Sequence, residues 1–217
     1  MVEITIYVEG ALLEHSNHNA QMMGNSQRFR ESFRRLFSSV FSNDDLRIVI
    51  QNGSGINQTV IFFKDTAIVN EQTILLVDLD APTSKRDARI KEYGLIPLAD
   101  RVFFMVQAME AWILSQPDKI EQCFAQIKYG DKKIQEDENL GGISPDSIRN
   151  PARVLNTILS RYFRYQKQGK FKKLKYNDGK LKLAPDLIEL LDFEGLVLTF
   201  EDVRLLQSRI TEYLVKK

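Results

Sequence analysis

Apolar residues in the first half of the chain fall into short runs separated by segments with helical spacing. Residues 3–8 (EITIYV) are β-branched and aromatic-rich and stop at Glu9-Gly10, which predicts a strand ending in a turn. Residues 26–41 carry Phe29, Phe33, Leu36, Phe37, Val40 and Phe41 at helical spacing, with Ser26 as the expected N-cap. A second short strand is predicted at 46–51 (LRIVIQ). The segment 56–69 (INQTVIFFKDTAIV) has the β-branched content of a strand and the length of a helix. A helix is preferred, because parallel strands need a crossover there. Residues 73–77 (TILLV) form an unbroken apolar run, as a strand buried on both faces does. Asp78-Leu79-Asp80 comes next, then a charged helix around 83–92. Residues 102–106 (VFFMV) repeat the buried-strand signature and pass into a helical QAMEAWILS before Pro117.

The order β-α-β-α-β-α-β-α predicts a doubly wound, mostly parallel four-stranded α/β sheet over residues 1–116. Beyond 117 the strand signals fade. Helices are expected at 117–127, 151–166, 185–192 and 200–215, with a polar loop at 130–150. Residues 117–217 therefore read as a mainly helical region packed on the core.

Charge changes this picture more than composition does. The formal net charge is +1, but residues 1–115 hold 11 basic and 14 acidic side chains and residues 116–217 hold 19 and 15. Hydrophobic residues make up 43% of the chain, enough for a buried core. Cys123 is the single cysteine, which excludes an intrachain disulfide and a cysteine-based zinc site and points to a reducing compartment. No run approaches the roughly 18 apolar residues of a membrane span, and the N-terminus lacks a signal-peptide pattern. A soluble, cytoplasmic protein with no membrane partner is expected.

In open α/β sheets the ligand crevice lies beyond the carboxyl ends of the strands. Glu9 ends the first strand and Asp78 the strand at 73–77, with Asp80 two residues on. Three carboxylates converging there repel one another unless a cation sits between them, and hard oxygen ligands suit Mg2+ or Mn2+. The competing reading makes Asp78 or Asp80 a cap for the next helix.

I-Y-V-E-G with a later L-L-V-D-L-D resembles the TOPRIM pattern of topoisomerases, bacterial primases and OLD-type nucleases. The set VEG…LLVDLDAP…MVQAMEAWILSQP, with KYNDGKLKLAPDLIELL near the end, resembles a family of small bacterial TOPRIM-like proteins of unknown function over nearly the whole chain. The resemblance implies a TOPRIM-like core with Glu9, Asp78 and Asp80 at the metal positions. It also implies a metal-dependent nuclease acting on DNA or RNA. Related proteins work with an ABC-type ATPase partner in antiviral defence. Glu110, in the MEAW block, is either a further metal ligand or a cap within its own helix; Trp112 beside it reads as core. Where relatives show V-E-G-x-[T/S]-E, this chain has Val8-Glu9-Gly10-Ala11-Leu12-Leu13-Glu14, which displaces Glu14. His15 and His18 come next in a polar loop; a solvated loop is the preferred reading, with a place in the metal site or a general acid–base role as the alternative.

Several basic groups are candidates for holding phosphate. Lys85, Arg86 and Arg89 lie just after the Asp-Leu-Asp turn, and Lys85 or Arg86 is expected to offset charge on a reacting phosphate. Arg30 and Arg34 are spaced one helical turn apart. Residues 161–182 hold nine Lys or Arg against one Asp, among them Lys170, Lys172 and Lys173, interleaved with Tyr162, Phe163, Tyr165, Phe171 and Tyr176. That stretch is either a nucleic-acid track or a basic surface with its aromatics turned inward. The sequence holds no G-x-x-x-x-G-K-[ST], so an ATPase activity of its own is not expected and a partner-activated subunit is the alternative.

Overall fold

β1 (Val2–Glu9) lies between β2 (Leu46–Gly53) and β3 (Thr73–Asp78), and β4 (Val102–Met105) extends the sheet beyond β3. All three pairings are parallel. The computed structural model describes residues 1–9, 20–41, 46–53, 55–177 and 180–215, with only the backbone for 20–23 and 180–181. Every residue of β4 and all but the last of β3 are buried, as the unbroken apolar runs require of strands covered on both faces. The chain steps outward from β1 to β2, then returns past β1 to β3. With right-handed crossovers, that reversal puts α1 (Ala20–Ser38) and α2 (Ile56–Ala67) on opposite faces.

α2 settles the ambiguous 56–69 segment as the helix that the parallel pairing demands. Its buried side chains, Thr59, Val60, Phe63 and Ala67, recur at three- and four-residue intervals. The chain enters it through Gly53, where an added Cβ would stand 2.6 Å from the Thr59 backbone nitrogen.

α3 (Arg86–Glu92), preceded by a 3-10 turn at Thr83–Lys85, leads to β4, and α4 (Met109–Leu114) and α5 (Pro117–Cys123) come after it. Then come α6 (Pro151–Tyr162), a hairpin of β5 (Arg164–Lys167) and β6 (Lys170–Lys173), α7 (Lys180–Glu189), α8 (Phe193–Thr199) and α9 (Glu201–Val215). Buried side chains from Ile4 to Tyr213 make one cluster spanning both halves, with Trp112 among its largest members.

The outer edge of β4 is closed by an ion pair rather than a strand. Asp202, at the start of α9 and 2% exposed, accepts the Phe104 N–H at 2.6 Å. Arg86 donates to Asp202 at 3.0 Å and to the Val102 carbonyl at 2.9 Å. Residues two apart on a strand point their backbone groups to the same side, so this pair satisfies the groups a fifth strand would take.

Four local expectations are corrected. α1 begins at Ala20, so Ser26 lies inside the helix rather than at its N-cap, and its Oγ accepts from Asn52 Nδ2 at 3.1 Å. α6 ends at Tyr162, not 166. Strands do occur after residue 117, in the β5–β6 hairpin. Finally, α8 was not anticipated; Asp192 caps it, accepting the Gly195 N–H. Among the described residues, no helix is long and apolar enough to cross a membrane.

Candidate functional site

The order in which strands are added reverses between β1 and β3, and in parallel sheets of this kind the ligand crevice opens at the carboxyl ends of those two strands. Glu9 closes β1 and Asp78 closes β3. Val8 pairs with Leu76, so Glu9 stands level with Val77, one residue short of Asp78. The two carboxylates are brought to the same end of adjacent strands by register alone.

Backbone hydrogen bonds lace the turn after β3 to the turn after β4. The Leu79 N–H donates to the Met105 carbonyl, and the Gln107 N–H donates to the Ala81 carbonyl at 3.1 Å. Asp78 Oδ1 accepts the N–H of Met109, the first residue of α4, at 2.8 Å. The sequence alternative, Asp78 or Asp80 as a cap for the helix around 83–92, is not what is seen: among the described residues no side chain caps the 3-10 turn or α3, and Asp78 instead accepts from the start of α4.

Glu110, also in the first turn of α4, is 1% exposed, and its Oε1 accepts from the Tyr176 hydroxyl at 3.0 Å. Burial drives the Tyr176 phenol far above its ordinary pKa, and the nearby Glu110 and Asp78 carboxylates push it the same way. Tyr176 is accordingly a fixed donor at any working pH.

A cavity of about 280 Å³ opens on these groups. Asp78, Asp80, Gln107, Ala108 and Glu110 form one wall, and Arg149, Asn150, Pro151 and Ala152, at the start of α6, form the other. Residues from both halves of the chain thus enclose it. Among the described residues, non-glycine positive φ occurs at Asp80, Gln107, Asn150 and Gln168, and the first three line this cavity. Such conformations cost of order 1 kcal/mol each and cluster at functional sites.

Asp80 is exposed, and Glu9 is half-buried beside the cavity rather than in its lining. The two share a neighbour in Tyr93. Burial raises that phenol's pKa, Arg89 lowers it, and Glu92, Glu9 and Asp80 add to the rise. Among the described residues no three His, Cys, Asp or Glu side chains are grouped to enclose a metal ion. Magnesium does not require such a cage, since it commonly keeps several waters and takes one or two carboxylates plus substrate phosphate. Asp78 and Asp80, facing one cavity, fit that pattern; Glu110, buried and held by Tyr176, fits a structural role better.

The basic candidates divide. Lys85 is exposed in the turn after Asp80. Arg86 is committed to Asp202 and Val102 at the sheet edge. Arg89 braces the acidic turn, donating to the Leu79 carbonyl at 3.3 Å and to Glu92 at 2.8 Å. Arg34 makes a two-pronged bond to Glu31, and Arg30 reaches Asn52 at 3.3 Å. These two line a separate depression with residues 47–50 of β2. Lys170, Lys172 and Lys173 are exposed on β6.

Arg149, Asn150, Gln107 and Tyr176 were not singled out as site residues from sequence. Asn150-Pro151 carries the one local signal, a polar residue before a proline at a helix start. Glu14, His15 and His18 lie outside the described residues. Compared with known protein families, curated proteins and solved structures, the chain matches none.

Proposed function

We propose that this chain is a metal-dependent phosphodiesterase with a TOPRIM-like site, cleaving DNA or RNA, in which Asp78 and Asp80 hold Mg2+ or Mn2+. The observation that carries the reading is the pair of carboxylates at the crevice where the strand order switches, facing Arg149 across one cavity. Such a metal supplies charge neutralisation at a phosphoryl oxygen and a more acidic bound water. In this reading Lys85 and Arg149 offset charge building on the phosphate. A water oxygen forms the new P–O bond and releases its proton to solvent, while the P–O bond to the departing alkoxide breaks and solvent protonates that oxygen. Tyr176 and the Met109 N–H keep Glu110 and Asp78 in place while this happens.

Incubation of the chain with labelled DNA and RNA in manganese or magnesium tests the reading. Cleavage lost in Asp78→Asn/Asp80→Asn supports it; cleavage unchanged in that variant contradicts it. The cytoplasmic location belongs to the same proposal and rests on Cys123 being the single cysteine, which leaves no intrachain disulfide to form.

A second reading, of a subunit switched on by an ATPase partner in antiviral defence, is favoured by one specific feature. Ile61 and Phe62 are exposed on α2, and Ile68 and Val69 are exposed in the turn just past its end. Cleavage that appears only when the chain is co-purified with an ATPase would select this reading over the first.

A further inference from the structure

The β5–β6 hairpin closes on a two-residue turn, Gln168-Gly169, both with positive φ, and projects a ladder in which Arg164 pairs with Lys173 and Gln166 with Phe171. Paired residues share a face, so Arg164, Gln166, Phe171 and Lys173 point one way, and Tyr165, Lys167, Lys170 and Lys172 the other. The first face walls a groove of about 530 Å³ whose opposite side is formed by Gln126, Ile127, Lys128 and Tyr129.

Two large aromatic rings stand exposed in that groove, Tyr129 at 65% and Phe171 at 77%. The other aromatics of the basic stretch lie elsewhere: Tyr162, Phe163 and Tyr176 are buried, and Tyr165 is half-buried on the opposite face of the hairpin. The backbone under Tyr129 is fixed, because its N–H donates to the Tyr162 carbonyl at 2.7 Å and Lys128 bridges Phe163. The Arg164 guanidinium lies 5.0 Å from the Tyr129 ring centre and is itself anchored by the Ser160 and Phe163 carbonyls. Tyr129 is thereby presented in a set orientation.

The charge around the rings has one sign. Residues 164–173 contain five basic and no acidic side chains. Lys128 is neutralised by Glu121 at 2.8 Å, but among the described residues Lys167, Lys170, Lys172 and Lys173 take part in no ion pair. On the groove face Arg164 and Lys173 stand with the two rings and, among the described residues, no acidic side chain lines the groove, an arrangement that matches an anionic chain offering flat π-faces. A protein partner of ordinary composition would leave the lysines unmatched, and a duplex hides the faces of its bases.

We propose that the Tyr129–Phe171 groove binds single-stranded nucleic acid, with bases stacked on the two rings and the phosphate backbone held by Arg164 and Lys173. This rests on the phosphodiesterase reading only for what happens next along the strand. α6 runs from the acidic cavity at Pro151 to Tyr162 beside the groove. Its 12 residues span about 18 Å. A strand held in the groove is then delivered, a few nucleotides on, to Asp78 and Asp80.

Fluorescence anisotropy with single-stranded DNA and RNA of about 16 nucleotides, in chelator so that nothing is cleaved, tests this directly. The full chain should bind single strands more tightly than the same sequence as duplex. Tyr129→Ala and Phe171→Ala should each weaken binding about five- to a hundred-fold. Tyr129→Phe and Phe171→Trp, which keep a ring, should bind within about two-fold of wild type, separating stacking from any loss of fold. Alanine variants that bind like wild type, or equal affinity for duplex, would overturn the proposal. Hydrolysis of bis(4-nitrophenyl) phosphate with manganese, which needs no groove, reports on the acidic cavity separately. Its failure would count against the phosphodiesterase reading and leave the binding result standing.

Discussion

The Asp78 carboxylate accepts the backbone N–H of Met109, linking the end of β3 to the first residue of α4 at 2.8 Å. One oxygen of the residue best placed to hold a metal is thus already occupied in positioning the helix that carries Glu110. The two roles respond differently to substitution. Asp78→Asn keeps an acceptor for Met109 and should change stability by less than about 0.5 kcal/mol, whereas Asp78→Ala should cost about 1 kcal/mol. Both should lose metal-dependent cleavage. Urea denaturation beside the cleavage assay checks the split, and it makes asparagine the cleaner probe of chemistry.

Tyr176→Phe removes the hydroxyl that Glu110 accepts from in the core. A buried carboxylate with one donor fewer should lower stability by about 1–3 kcal/mol, read from the midpoint of urea unfolding. An unchanged midpoint would mean that the 3.0 Å contact contributes nothing to the wall of the cavity.

At the sheet edge, Asp202→Ala should destabilise by about 3–5 kcal/mol, because it strands Arg86 and leaves the Phe104 N–H unpaired. Lys85→Ala, one residue before Arg86 and exposed, should be within about 0.5 kcal/mol of wild type yet reduce cleavage. Thermal unfolding of the two variants separates a lysine at the acidic turn from an arginine committed to the fold.

Acid should weaken the protein. The hydrogen bond from Arg34, aided by Arg35, holds Glu31 down to about 2. Burial pushes Asp137 up, but bonds from Asn139, Arg161 and Tyr162 outweigh it and leave its pKa lowered. Groups with a lowered folded pKa favour the folded state above their unfolded values, 4.5 and 3.8, and that contribution is lost as pH falls below them. Burial raises the pKa of Asp202, against the pull of Arg86, so it contributes the opposite slope. The melting temperature should therefore fall between about pH 5 and pH 3, and less steeply in Asp137→Asn. A flat profile over that range would contradict the assignment.

The sheet was legible because its strands are all buried on at least one face. TILLV and VFFM have no room for polar positions, and the crossover rule resolved INQTVIFFKDTAIV against its own β-branched content. The hairpin was not legible for the converse reason. With both faces of Arg164–Lys167 and Lys170–Lys173 solvated, lysines fill positions of either parity and no period of two survives. Gln168-Gly169 was the remaining trace, a residue-glycine pair suited to a turn with two positive φ values. At the site, the acids at strand ends could be read from local patterns. The opposite wall could not, because Arg149 and Asn150 reach it only through the packing of α6, some seventy residues away in the chain. Glu110 and Tyr176 illustrate the same limit, since a carboxylate in a first helical turn reads as exposed until its partner is placed.

Manganese binding to the intact chain, measured by isothermal titration calorimetry for wild type and Asp78→Asn/Asp80→Asn, tests the central claim most directly. The account expects one site in the wild type and its loss in the variant, with the fold retained. Equal binding by the two proteins, or none by the wild type, would contradict a metal held by these carboxylates.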